Sequence, residues 1–196
     1  MDVQGEQIAS VGSYKITIDI WLKLAKRINE IVAKNEADGI VITHGTDTQE
    51  ETAYFLSLTT GSAKPVVLTG SMRPSTAIST DGPKNLYDAI LVAAAPQSQG
   101  KGVVLSFNER IYDAKNVTKV NTLDVNAFDS PNTGSIGKIH DGQVNYHSQP
   151  ISPGPQPFFD ISKISALPKV EIVSVKNLKE KDNPNKMLST KILAKL

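Results

Sequence analysis

The sequence has 196 residues, 39% of them hydrophobic, with 21 basic against 20 acidic side chains and no cysteine. That length holds one ordinary domain with a substantial core, so neither metal nor disulfide is needed to stabilise it. A formal net charge of +1 leaves no whole-chain field to recruit nucleic acid or an anionic membrane, and the lack of cysteine excludes a thiol nucleophile and a thiolate metal site. The start, Met1-Asp2-Val3-Gln4-Gly5-Glu6, has no basic region followed by an apolar run, and no later stretch is apolar enough for a membrane span. As written, the chain is expected to be cytoplasmic, with a small molecule as its partner.

From Ile20 the apolar residues fall at Ile20, Trp21, Leu24, Ala25, Ile28, Ile31 and Val32, which predicts an amphipathic helix with Lys23, Lys26, Arg27 and Glu30 turned to solvent. Gly39-Ile40-Val41-Ile42-Thr43 is a short β-branched run bounded by turn residues, the pattern of a strand buried on both faces. The unit repeats. Helix is expected over 48–58 and 83–95, and strand over 65–69 and 102–106. Such alternation produces βαβ crossovers, hence an α/β fold with an open, mostly parallel sheet covered by helices. Ile136 to His140 and Gln143 to Tyr146 flank Asp141-Gly142, a two-residue turn signal that predicts a C-terminal β-hairpin.

Pro150, Pro153, Pro155 and Pro157 crowd the next stretch, which is read as an interdomain linker over 150–168 following a partial domain over 1–149. From Lys169, a short strand over 169–173 and then a basic tail to Leu196 are expected, since seven lysines face Glu171, Glu180 and Asp182. With no interleaved aromatic residue, the tail reads as a solvated end rather than a nucleic-acid site.

Ligands of open α/β sheets bind at the carboxyl ends of strands, which directs attention to the loops after Thr43, Thr69 and Ser106. The first reads His44-Gly45-Thr46-Asp47-Thr48 and places a hydroxyl and a carboxylate at a helix N-terminus. Two readings stand there: a polar site, or Asp47 or Thr48 capping the helix with Glu50 or Glu51 completing a capping box. In the second loop, Gly70 to Ser75, Arg73 is either an anion or scaffold contact or an ordinary surface charge. Lys119 lies in a polar stretch, 116–122, without clear periodicity; to act as a base it needs burial and a neighbouring carboxylate. The spacing of His44, His140 and His147 fits no metal motif, and His44 is expected to hydrogen-bond within its loop. No phosphate-binding glycine motif is present.

Taken together these loops resemble a known family. Gly39-Ile40-Val41-Ile42-Thr43-His44-Gly45-Thr46-Asp47-Thr48-Gln49-Glu50-Glu51-Thr52-Ala53 closely resembles the second signature of bacterial L-asparaginases. Thr69 to Ser75 with Asp81-Gly82-Pro83, Val117-Thr118-Lys119 and Gly12-Ser13 resemble further family segments in the same order. The resemblance runs from about Val3 to Val173 and is similar to the periplasmic type II branch. It implies the N-terminal α/β domain of that fold and the two-step hydrolysis of asparagine, with glutamine as the alternative substrate, without metal or organic cofactor. Thr46, Asp47 and Lys119 correspond to a catalytic triad-like group, in which Lys119 is base, Thr46 attacks or activates water, and Asp47 orients the group while receiving the substrate α-amino charge. Ser13 is implied to bind the α-carboxylate, Ser71 to lie beside the amide, and Tyr14 to stand at a substrate-binding position where the family usually has glutamine.

The resemblance also implies parts that this sequence does not contain: a Gly-rich first segment with a nucleophilic threonine, and a second domain that supplies an acidic residue to a neighbouring subunit of a homotetramer. The chain is therefore expected to be truncated at both ends and to hydrolyse asparagine poorly or not at all. The competing expectation is an inactive fragment that binds amino acids weakly.

Overall fold

The computed structural model describes residues 2–61, 64–150, 157–168 and 170. The chain divides into two compact units, Met1–Lys163 and Ile164–Leu196, and every element below belongs to the first. The strand and basic tail expected from residue 169 onward lie outside the described residues, apart from Val170.

Helix α1, Ile18–Lys34, begins at Thr17, whose hydroxyl accepts the Ile20 N–H at 3.4 Å, and ends at Asn35 in the left-handed conformation with φ 56°. The short polar side chain of Asn tolerates that conformation and closes the helix. Strand β1, Ile40–Thr43, follows, then helix α2, Gln49–Thr59, strand β2, Val66–Thr69, helix α3, Gly82–Ala94, and strand β3, Val103–Phe107. Strands β1, β2 and β3 are parallel neighbours, with Ile42 opposite Leu68 and Leu68 opposite Leu105. Each expected helix and strand of this part forms, with ends shifted by one or two residues.

The antiparallel part of the sheet is larger than the expected hairpin. Strand β4, Arg110–Asp113, pairs antiparallel with β3; beyond it lie β7, Gly137–His140, and β8, Gln143–Tyr146, giving the order β1-β2-β3-β4-β7-β8. Asp141 and Gly142 both carry positive φ, 47° and 72°, as the β7–β8 turn demands. Strands β5, Thr118–Lys119, and β6, Phe128–Asp129, form a separate two-stranded ladder.

The core explains the sequence pattern. Val67 and Val104 are buried with Ala89, Val92 and Ala93 of α3 and with Ile139 and Val144 of the hairpin, while the next residue along β3, Leu105, joins Phe107, Tyr112, Val117 and Phe128. Alternate side chains of a strand point to opposite faces, so continuous apolar runs are what a sheet covered on both sides requires. Helix α2 packs on β3 and carries α1, with Trp21 stacked on Phe55 at 5.3 Å between ring centroids. Strand β1 departs from the expected burial. Among the described residues it is an edge strand, and Ile40, Val41 and Ile42 are only half-buried, beside a cleft of about 810 Å³ walled by the apolar face of α1 and by residues 4–11. Residues 157–163 return to this unit, where the Phe159 N–H donates to the Leu58 carbonyl at 2.9 Å and Ile161 is buried.

Candidate active site

The loops after β1 and β2 leave the sheet side by side. The His44 N–H donates to the Thr69 carbonyl at 2.8 Å, and a Cβ on Gly70 would stand 2.3 Å from the His44 carbonyl oxygen. Only glycine permits that approach. Asp81 fixes the second loop by accepting the N–H groups of Met72 and Arg73, each at 2.9 Å, and the Asn85 amide at 3.1 Å. Arg73 proves to be a scaffold contact, donating to the carbonyl and hydroxyl of Ser79.

Residues Thr46–Thr48 form a single 3-10 turn ahead of α2. The helix-capping reading of this turn is overturned: Thr48 occupies the cap position without a side-chain capping bond and donates instead to the Ser13 carbonyl at 2.8 Å. Asp47 and Glu50 are drawn elsewhere, to Lys119 and its neighbour. The Lys119 ammonium nitrogen is 2.8 Å from Thr46 Oγ1 and 3.0 Å from Asp47 Oδ1. Its side chain is 15% exposed, against 60% for Asp47, so the lysine is held inside while one face of the carboxylate opens to solvent. A lysine more than seventy positions away in the sequence is thus within hydrogen-bond reach of two adjacent residues, Thr46 and Asp47.

Ser13 belongs to the same set. It is buried, and its Oγ accepts the Asp47 N–H at 3.2 Å, which leaves the hydroxyl proton available to an incoming acceptor. Gly45 makes room for it, since a Cβ there would stand 2.7 Å from Ser13 Oγ. Tyr14 is 70% exposed beneath the Lys15 ammonium, and Ser71 lies exposed on the second loop against Gly82; neither is part of the hydrogen-bonded set around Lys119. Ser71, Gly70, Gly45 and His44 do line one shallow cavity of about 380 Å³.

Behind the site runs a relay that sequence reading missed. The Trp21 indole N–H donates to Thr52 Oγ1 at 2.7 Å, and Thr52 Oγ1 is 2.9 Å from His44 Nε2. The Gly45 carbonyl 2.6 Å from Nδ1 can only accept, so Nδ1 carries a proton; Thr52, already accepting from the indole, keeps its own proton to donate to Nε2 of the neutral ring. The network accommodates a neutral imidazole, the form that burial favours by holding the His44 pKa below its ordinary value. His44 is thus the expected loop hydrogen-bonder, while His147 meets the Ser135 carbonyl and His140 stands near Asp141. Among the described residues no group of three or more His, Asp or Glu could hold a metal ion, and no helix is long and apolar enough to cross a membrane.

The chain as a whole is similar to known proteins. Residues 1–152 match the family model "Asparaginase, N-terminal". The chain is 51% identical over 172 residues to L-asparaginase 2 of Bacillus subtilis, covering 88% of this chain and 46% of that protein. It is 49% identical over 173 residues to a probable periplasmic L-asparaginase of Haemophilus influenzae, covering 88% and 49%. A solved structure of a probable cytoplasmic L-asparaginase from Campylobacter jejuni superposes with a TM-score of 0.82 at 50% identity, covering 86% of this chain and 54% of the other. The chain spans about half the length of the curated relatives it matches; one of these is named as periplasmic, and the solved structure as cytoplasmic. With an α/β domain of this form and a match over most of its length, the chain belongs to the asparaginase family.

Proposed function

We propose that Thr46, Asp47 and Lys119 form the amide-hydrolysing unit of an asparaginase, acting on asparagine with glutamine as the alternative substrate. The observation that carries this reading is the Lys119 ammonium nitrogen held 2.8 Å from Thr46 Oγ1 and 3.0 Å from Asp47 Oδ1. In the reaction, Lys119 acts from its neutral amine form, after giving up one ammonium proton to solvent: its nitrogen accepts a proton from the Thr46 hydroxyl, or from a water that Thr46 holds, as oxygen attacks the side-chain amide carbon. The C–N bond then breaks, the proton passes to the leaving nitrogen, and ammonia departs. If Thr46 itself has attacked, water cleaves the resulting ester by the same proton transfers, releasing aspartate. Ser13 donates to the substrate α-carboxylate, and the exposed face of Asp47 accepts the α-ammonium. Tyr14 and Ser71 flank the bound amino acid, and the working assembly is a homotetramer.

A second reading is a weak amino-acid-binding module. It is favoured by the bond from the Asp47 N–H to Ser13 Oγ, which pairs the two binding groups without help from Lys119. The test is ammonia release from L-asparagine by the purified chain and by Thr46→Val. The hydrolase reading expects release above the protein-free rate and a loss of at least about 10³-fold in the variant. L-aspartate binding with no release, or equal release by both proteins, would reject it.

A further inference from the structure

Lys119 stands on a ladder of two residues per strand that is separate from the six-stranded sheet carrying the Thr46 loop. Within that ladder Lys119 pairs with Phe128, and the Val120 N–H continues to the Ala127 carbonyl at 2.8 Å. None of these bonds fixes the distance between Lys119 and Thr46. Across the gap reaches Glu50, from the first turn of α2. Its Oε1 accepts the Thr118 hydroxyl at 3.0 Å, and its Oε2 accepts the backbone N–H of Lys119. Among the described residues, the hydrogen bonds that join Thr118 and Lys119 to the α2 end are those of Glu50 and those of the ammonium itself. A carboxylate in the first turn of a helix is favoured there by the unpaired N–H groups and the helix dipole, so Glu50 is a suitable anchor.

We infer that Glu50 is a positioning residue: by gripping the backbone of Lys119 and the side chain of Thr118 with its two oxygens, it sets the lysine against Thr46 and Asp47. The inference rests on the proposed hydrolase reading for its purpose, but its geometry can be tested without turnover. Glu50 touches no reacting atom. Loss of a clamp that allows a shift of roughly 1 Å costs up to about 10²-fold in rate when the displaced group acts in the chemistry.

The direct experiment is site-resolved acylation of lysines in the full chain with a substoichiometric active ester, read by mass spectrometry. In the wild type, Lys119 should react more slowly than Lys34, whose side chain is 61% exposed. Lys101, only 7% exposed, reports whether the fold has opened. In Glu50→Ala, Lys119 should accelerate toward Lys34 while Lys101 stays slow. Glu50→Gln should stay near wild type, because its amide oxygen still accepts the Lys119 N–H and its NH₂ can donate to a reoriented Thr118 hydroxyl.

An unchanged Lys119 rate in Glu50→Ala overturns the inference, as does a Glu50→Gln rate equal to that of Glu50→Ala. If Lys101 also accelerates in Glu50→Ala, Glu50→Asp decides by the same comparison, since it is too short to reach both partners; opening in both variants makes Glu50 a determinant of the fold and overturns the positioning role. Where asparagine is hydrolysed, kcat should fall about 10²-fold in Glu50→Ala with KM little changed. The expected labelling pattern without any hydrolysis would sink the hydrolase reading and leave the positioning intact. Thr46-dependent hydrolysis with Lys119 labelling indifferent to Glu50 would do the reverse.

Discussion

Replacing Thr52 by valine tests the relay behind the site. Thr52 is fully buried, accepts the Trp21 N–H at 2.7 Å and faces His44 Nε2 at 2.9 Å. Valine keeps the shape and deletes the hydroxyl, so the substitution strands one donor and one acceptor rather than opening a cavity. A buried polar group without a partner costs about 1 to 3 kcal/mol, and both stranded groups are only part-buried, so the sum should be about 2 to 4 kcal/mol. For a domain near this size that corresponds to a fall in Tm of about 5 to 15 °C. The assay is urea unfolding of wild type, Thr52→Val and Thr52→Ser, the serine keeping the hydroxyl. Serine should retain most of the stability that valine loses. A valine variant within about 0.5 kcal/mol of wild type, the range of an uneventful surface change, would refute the relay.

The same relay predicts a pH dependence. Because burial depresses the His44 pKa in the folded state, its contribution to stability is complete above the unfolded value of 6.5 and is lost as pH falls below that toward the folded value. The urea midpoint should fall more steeply from pH 7.5 to 5 in wild type than in His44→Gln, and parallel curves would contradict the neutral assignment. Gly70→Ala places a carbon against the His44 carbonyl, a backbone atom that cannot swing aside, and should destabilise the protein by about 1 to 3 kcal/mol in thermal unfolding; an unchanged Tm would show that the two loops can part freely. Among the described residues strand β1 is an edge of the sheet next to the α1 cleft, so the chain should self-associate as its concentration rises in light scattering. A monomer at every concentration tested would contradict that.

Much of the fold was legible because its elements are locally encoded. The 3.6-residue spacing from Ile20 to Val32 marked α1, and short β-branched runs marked β1, β2 and β3. Asp141-Gly142 marked the hairpin because both residues must take positive φ. Strand β4 escaped notice because the turn before it is made by Asn108 and Glu109, with φ of 48° and 60°, and glutamate in that conformation gives no turn signal. The β5–β6 ladder is too short to carry any period. In the site, the resemblance singled out Thr46, Asp47 and Lys119, but spacing alone favoured a capping box over the same residues. The box failed because Glu50 and Thr48 are claimed by Lys119, Thr118 and Ser13, partners distant in sequence. Trp21 read only as a member of an amphipathic helix and Thr52 only as part of the signature-bearing helix, since nothing local tells a buried hydroxyl where its proton goes.

The central claim is that Thr46 and Lys119 act as one unit, and a double-mutant cycle on ammonia release from L-asparagine tests it most directly. Thr46→Val and Lys119→Met should each reduce release by at least about 10³-fold, and the double variant should be no slower than either alone, because a disabled unit has little more to lose. Independent losses that multiply in the double variant, or single variants as fast as wild type, would contradict the assignment.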